Sequence, residues 1–596
     1  MQQLHKTWRT MHRRRPWIRA AARKESGHSE PEGMVGAEPA SVPTPSHSLP
    51  KVSPNYSGSG SIFSLGQLVA AAVSRGSDNS VLRLGVSAAQ EHGQQNIERV
   101  RATEMPLPSL GDAVELVKLY FDALHVTMPF MRQAEVFQQL ERLYTGTPAY
   151  TGHEKTEDLF QIHMIFAIGA MRSPGRWKED YARDHYLTAM SKEAHLGQVP
   201  PPAQIQNLLL VFVFATLHDV GIASTWEIIR QAMRVCVKFG FHSRETAADD
   251  QLQEQLRRRI FWSAYISDRH CSQNLGRPVA LAEEDITIDL PINQDDDKIK
   301  AGEPEIPGRY TEVTNLVRHT LLRRLGTNAR IALNRLSRQI ASLAEQIEAA
   351  KTWTDALEAW YNSSVVKLTP VNAYETRQYL DINFHRERMK FLSYLVLPSD
   401  NAESTTASTE HLWQYTLSAY QILLAYKKQS DDGFLKPNWT YVQDVLKSGF
   451  GILYCAVGIP EHRRQSNNGV SLTPSELDTV VNALKLCGET LSKITAEWKT
   501  VQRHANAFMQ MSESLLELIA STTRNATREQ SHADSGGQRL EETMDWDFDA
   551  LDSTLNMFQG EGIEPFTDAE WAELFELAVE VDGELTTYDH VNHFRS

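Results

Sequence analysis

Four cysteines, at 236, 271, 455 and 487, are the residues of this chain best suited to metal or redox chemistry, and their spacing fits neither. Zinc holds thiolates and imidazoles at about 2.0–2.3 Å, so its ligands arrive in tight local sets. The gaps here are 35, 184 and 32 residues. Four scattered cysteines also give no disulfide framework, and no stretch reads as a secretory leader, so the expectation is a reducing interior compartment in which the sequons at Asn55, Asn362, Asn438 and Asn525 are chance. His218, His242 and His270 lie in or beside apolar helical segments and read as core residues rather than bases or ligands. Asp268 and Arg269 read as a helix-to-helix ion pair, and Arg277-Pro278 as a turn clamp rather than an anion site. The run Asp295-Asp296-Asp297 reads as a solvated loop, and Gly58-Ser59-Gly60 lacks the strand before and helix after that a phosphate loop requires. No nucleophile and base fall into a set, so an enzyme is not expected.

What must position these residues is helical. From Arg257 to Ile286 the chain reads RRRIFWSAYISDRHCSQNLGRPVALAEEDI. Ile260, Phe261, Ala264, Tyr265 and Ile266 recur near three- and four-residue spacing, Arg257, Arg258, Asp268 and Arg269 supply a polar side, and Gly276 and Pro278 close the helix before an acidic, strand-like segment. From Asp112 to about Ser521 the pattern is helical almost throughout, with breaks near 146–154, 197–203, 245–250, 291–308, 398–408, 430–438 and 459–473. The expected fold is all-α, a large array of packed helical hairpins over 111–525. No uninterrupted apolar run is long enough for a membrane span, the best being Leu208 to Leu217.

The ends differ from the body. Residues 1–24 carry eight basic residues and no acidic one, and 25–110 form an expected disordered linker, rich in Pro, Ser and Gly, with a short apolar helix over Ile62 to Val73. Between Glu541 and Glu584 lie 15 acidic residues and no Lys or Arg, which accounts for the whole net charge of -15. In this acidic tail, 526–596, Trp546, Phe548, Leu551, Leu555 and Phe558 alternate with aspartates whose repulsion keeps the apolar side chains exposed. Thr567 and Glu570 then have capping-box spacing ahead of Trp571, Leu574 and Phe575, a helix suited to a coactivator groove. The competing reading is a solvated tail, or a helix that docks on its own body.

The Tyr-Ile-x-Asp-Arg core and Gly-Arg-Pro exit of the 257–286 segment, with Arg259, Asp268, Arg269, Gly276, Arg277 and Pro278 as motif positions, resemble the regulatory middle region of fungal-specific transcription factors. The preceding helix pair from Ile205 to Arg244 and the entry segment YFDALHVTMPFMRQAEVF from Tyr120 to Phe137 are similar to the same family, in its order, over roughly 112–290. Trp498 resembles the tryptophan that often ends the family's regulatory region. The resemblance implies a nuclear regulator of RNA polymerase II transcription, a helical domain that responds to a small-molecule effector or a second subunit as homo- or heterodimer, and coactivators as partners of the tail.

The family's DNA-reading module is a six-cysteine zinc cluster, and no cysteine precedes position 236. Three readings stay open: a coding sequence missing its first exon, a member that lost the module, or a regulator that reaches DNA through a partner. Zinc is expected only in the first, and direct DNA contact with it. Arg13, Arg14 and Arg15 can neutralise phosphates or form a nuclear import signal, though without base contacts they confer little sequence choice. A transit peptide or translated intron also fits that opening. The alternative function is a non-DNA-binding helical scaffold or inhibitor that pairs with a zinc-cluster factor.

Overall fold

The computed structural model describes residues 104–517, apart from 147–151, 174, 178, 194–198, 218–224, 247, 249, 275–276, 339–341, 397–407, 436–437, 466–471, 498–500 and 503–504. The basic head with Arg13, Arg14 and Arg15, the linker, His218, Gly276, Trp498 and the acidic tail therefore lie outside the described residues. Those described contain helices and no strand.

In chain order the helices are α1 (Leu110–Tyr120), α2 (Gln133–Thr145), α3 (His153–Met171), α4 (Glu179–Glu193), α5 (Pro201–Leu217), α6 (Thr225–Lys238) and α7 (Gln251–Asn274). They continue as α8 (Asp296–Lys300), α9 (Thr314–Arg338), α10 (Leu343–Ser363), α11 (Arg377–Val396), α12 (Thr409–Asp431), α13 (Trp439–Gln465) and α14 (Pro474–Glu497). Local chemistry sets their ends. Ser109 caps α1 by accepting from the Asp112 amide, and Ser342 and Glu345 form a reciprocal capping box at α10. Gly240 follows α6 at φ 72°, and the Phe241 amide donates back to Cys236 O at 2.8 Å, which satisfies a carbonyl the helix would leave open.

Helices adjacent in sequence pack on each other, α3 on α4, α5 on α6, α11 on α12 and α12 on α13, as stacked hairpins do. Three apolar interiors result. The first runs from Ala113 to Val317 and the second from Ile382 to Leu515. The third, with Leu322, Leu333, Trp360 and Phe391, joins them through α9, α10 and α11. Helix α9 gives Leu316 and Val317 to the first interior and Leu322, Ala329 and Leu333 to the third.

Several expectations are corrected. The acidic segment after the Gly-Arg-Pro turn is extended but unpaired as a strand: Thr287 and Ile288 both donate to His242 O, so one carbonyl anchors it beside α6. Helix α13 runs through Pro460, against the break expected from 459, because proline removes one helical hydrogen bond without forbidding the surrounding packing. A π-helical turn, Phe121–His125, extends α1 where an ordinary helix was read. The segment Thr440–Pro460 is long and apolar enough to cross a membrane by length and a mean hydropathy of 1.2, and a search for uninterrupted apolar runs passes over it because Asp444 and Lys447 fall inside. It is 78% buried, as a core helix of the second interior.

Between α3 and α4, His163 and His185 face each other Nδ1 to Nδ1 at 2.8 Å, both buried. Burial, with each other's proximity and Lys192, pulls His163 down to about 3, and burial pulls His185 down to about 4. Burial likewise lowers His385 to about 4. Unfolded histidine binds its proton near 6.5, so this stability is complete above that pH and is lost as the pH falls toward 4, each group contributing at most about 1.4 kcal/mol per pH unit. The expected outcome is a urea midpoint that falls steeply between pH 6.5 and 5, above the range where carboxylates protonate. A flat midpoint across that window would contradict the burial of these rings in neutral form.

Candidate functional site

Helix α7 carries most of the motif residues, and its polar side is not a surface. Arg259 is 1% exposed, and Asp268 and Arg269 are 0% exposed. The polar side read from the sequence comprises Arg257, Arg258, Asp268 and Arg269, and in the structure the helix is buried all round, so these charges meet partner groups inside the body.

Two separate ion clusters follow. Toward one end, Arg259 lies 2.8 Å from Asp296 and 3.1 Å from Glu312, and Asp296 also takes Arg132 Nε at 3.2 Å. The acidic run is thus a partner for buried arginines, not a solvated loop, because α8 turns Asp296 inward. Burial acts to raise Glu312, but the hydrogen bond from His125 and the Arg259 charge hold it at about 2. Toward the other end, Arg269 pairs with Asp268 at 2.7 Å and Glu283 at 3.0 Å, donates to Leu281 O at 2.6 Å, and stacks 4.2 Å from the Tyr265 ring centre. Tyr265 donates to Glu283 at 2.6 Å, and Arg324 reaches the second Glu283 oxygen from α9 at 3.3 Å. Asp268 also accepts from the Ala280 amide at 3.0 Å, which fixes the chain after the turn. Arg277 lies over the Trp226 ring at 4.7 Å, and Pro278 O accepts from Ser272 and Arg230 at 3.1 and 3.0 Å. These contacts tie α6, α7, α9 and the following segment together, and Arg259, Asp268, Arg269, Arg277 and Pro278 are not among the residues that line the cavity described next.

The concave site lies elsewhere. A cavity of about 430 Å³ opens where the π turn, α5, α7 and α9 meet the segment before α11 and the helices α11 to α13. Leu124, Met128 and Phe212 form an apolar side, and Tyr374, Tyr379, Tyr426 and Tyr441 an aromatic one. Its charged wall is Arg172, Arg323 and Arg386, with His270 and His319 between. Arg323 pairs with Glu387 at 2.8 Å, and Arg386 with Asp444, whose carboxylate also accepts from Tyr426 at 2.6 Å. Burial first, and then Arg323 and Arg386 among neighbouring cations, hold His270 and His319 unprotonated. Volume and lining are those of a small-molecule site.

Sequence reasoning reached His270 as a core residue, and the structure gives its ring Arg323, Asn274 and Thr440 as polar neighbours beside the cavity. It missed Arg172, His319, Arg323 and Arg386. Only Arg386 had a local signal, the charge distributed all around α11 in HRERMK, which an exposed amphipathic helix avoids; Arg172, His319 and Arg323 had none.

All four cysteines are buried, and burial raises each thiol well above its usual range, Cys271 and Cys455 to about 12. A thiol attacks as its thiolate, so native protein should resist iodoacetamide at pH 8 and label at all four positions only in denaturant. Rapid native labelling, read by intact mass, would count against these interiors. Among the described residues no group of three His, Cys, Asp or Glu could hold a metal ion.

A stack of helical hairpins whose interior holds ion pairs and an aromatic cavity has the form of a regulatory or binding domain. Residues 117–362 match the family model of the fungal specific transcription factor domain. The match reaches past the segment recognised by motif, through the end of α9 and nearly all of α10. Protein STB5 of Saccharomyces cerevisiae is 22% identical over 435 residues, 68% of this chain and 54% of that protein. Pyrimidine pathway regulatory protein 1 of the same yeast is 24% identical over 317 residues, covering 50% of this chain and 33% of the relative. The negative regulator of pleiotropic drug resistance STB5 of Candida glabrata is 28% identical over 219 residues, 33% of this chain and 21% of its own length. The chain thus spans about a fifth to about half of the relatives it matches. The family is described as a transcription factor domain, and the last two of these relatives as regulators.

Proposed function

We propose that this protein is a nuclear transcription regulator in which the helical body, 111–525, is the control domain and the cavity its effector site. The observation that carries the reading is the match of residues 117–362 to a transcription factor domain, coupled to a cavity walled on one side by that domain and on the other by α11 to α13. A ligand there touches both sides, so it stabilises one arrangement of the hairpins over others and shifts the population between a silent and an active form.

Output is assigned to the tail. Trp546, Phe548, Leu551 and Phe558, with Trp571, Leu574 and Phe575 on the following helical segment, dock in the groove of a coactivator. Arg13, Arg14 and Arg15 serve import or phosphate contact. Residues 538–596, fused to an unrelated DNA-binding module, should drive a reporter. A silent fusion at normal expression would remove the tail from the mechanism.

A second reading keeps the same helical body and makes it a scaffold that pairs with a zinc-cluster factor. Retention of this chain on promoter DNA only when a zinc-cluster protein is added would select it.

A further inference from the structure

Arg172 is the residue that the ion-pair network leaves over. It follows α3 as the capping residue and is 6% exposed. Its side chain makes no hydrogen bond or ion pair with any described residue, and its buried Nε has no partner. Each other arginine on the wall pairs with an acid, Arg323 with Glu387, which Lys390 shares, and Arg386 with Asp444. The wall's one carboxylate among the described residues, Asp122, belongs to an exposed residue and forms no ion pair with Arg172. A buried guanidinium without a counter-charge is unfavourable, and the carbonyl end of α3 offsets it only in part. The wall also holds a second orphan, His319 Nε2.

We infer that the cavity binds a small organic monocarboxylate with a ring-bearing apolar body, and that Arg172 is the partner of its carboxylate. The inference rests on the cavity being the effector site and names the ligand class that site selects. Among the described residues Arg172 is the wall arginine with no acid, and a single guanidinium matches a single carboxylate. The planar fork of a guanidinium fits a carboxylate through two parallel hydrogen bonds. Burial first, and then the cations Arg323 and Arg386, keep His270 and His319 neutral, and an anion in the cavity offsets the second of these. Leu124 and Phe212 and the tyrosines at 374 and 379, which line the same cavity, take the ring.

The test uses the full-length chain and three pairs of probes, benzoate, phenylacetate and phenylpropionate, each beside its primary amide, read by thermal shift and calorimetry. The acids are expected to raise Tm with dose and to bind on the order of tenfold or more tighter than the amides. Arg172→Met should lose that preference while the unliganded variant melts no lower than wild type, since it removes an unpaired buried charge. Arg172→Lys keeps a charge without the fork and should retain part of the preference. The acid and amide comparison on wild type depends on no variant. Equal binding of acids and amides, or a preference that survives Arg172→Met, overturns the assignment of Arg172 and leaves an effector cavity of other specificity. No shift from any probe overturns the inference, and the tail-fusion reporter still reads the transcription assignment independently.

Discussion

Asp444→Ala is expected to destabilise the body by about 3–5 kcal/mol, the scale for removing one partner of a buried ion pair. Asp444 accepts Arg386 Nε at 2.9 and 3.0 Å on its two oxygens, takes a further contact from the same guanidinium, and accepts the Tyr426 hydroxyl at 2.6 Å. Both charged residues are buried. Without the acid, Arg386 keeps only Asn383 and Tyr426 as polar neighbours, and a full positive charge stays in a low-dielectric interior. Burial by itself would lower the Arg386 pKa, yet the Asp444 charge holds it up, so the guanidinium stays charged while its partner is present. The double replacement Arg386→Met with Asp444→Leu should recover most of the loss, since it removes both charges and fills their volume. Urea unfolding of the two variants reads the cycle. A single variant within about 1 kcal/mol of wild type would mean that water or a rearranged carboxylate already serves Arg386, contrary to the geometry described.

Gly169→Ala is the second large effect. A Cβ at that position would sit 2.3 Å from Leu116 O and 3.0 Å from its carbonyl carbon, both backbone atoms of α1. A side chain could rotate away; a helix backbone cannot. The two helices must separate where Leu116, Ile165 and Phe166 are fully buried, and the expected loss is about 1–3 kcal/mol or more. Gly111→Ala is the control of opposite sign, for its added carbon meets nothing nearer than Ser109 Oγ at 3.9 Å, and α1 should gain up to about 1 kcal/mol in helix propensity. Chemical denaturation that ranked the two variants equally would contradict the close approach of α1 and α3.

Fold class was legible because most helices bury one side, and apolar spacing reports that contrast. Helix α7 shows where this stops. Arg259 and Asp268 fall on opposite sides of the helix and Phe261 lies about two turns from Asp268 on the same side, so period marks no single polar face, and the charges meet Asp296, Glu312 and Glu283 instead of water. These partners come from other elements, and no local pattern announces them. The cavity was illegible for the same reason. Its arginines lie at 172, 323 and 386 and acquire meaning only when three hairpins converge. In α11 the charges occupy every side, so the amphipathic signal cancels where the burial is greatest. Proline at 460 misled in the other direction, since one missing amide was weighed more heavily than the apolar residues on both sides of it.

Helix α9 begins in one interior and finishes in another, which sets how this protein can be divided. A fragment cut at residue 362 keeps the whole of α9 and nearly all of α10 but loses the α11 residues Leu380, Phe391 and Leu395 that cover them. Leu322, Leu333 and Trp360 would then meet solvent as a contiguous sticky stripe, and such a fragment should self-associate or draw chaperones when expressed alone. The matched segment is thus an evolutionary unit without being an autonomous folding unit.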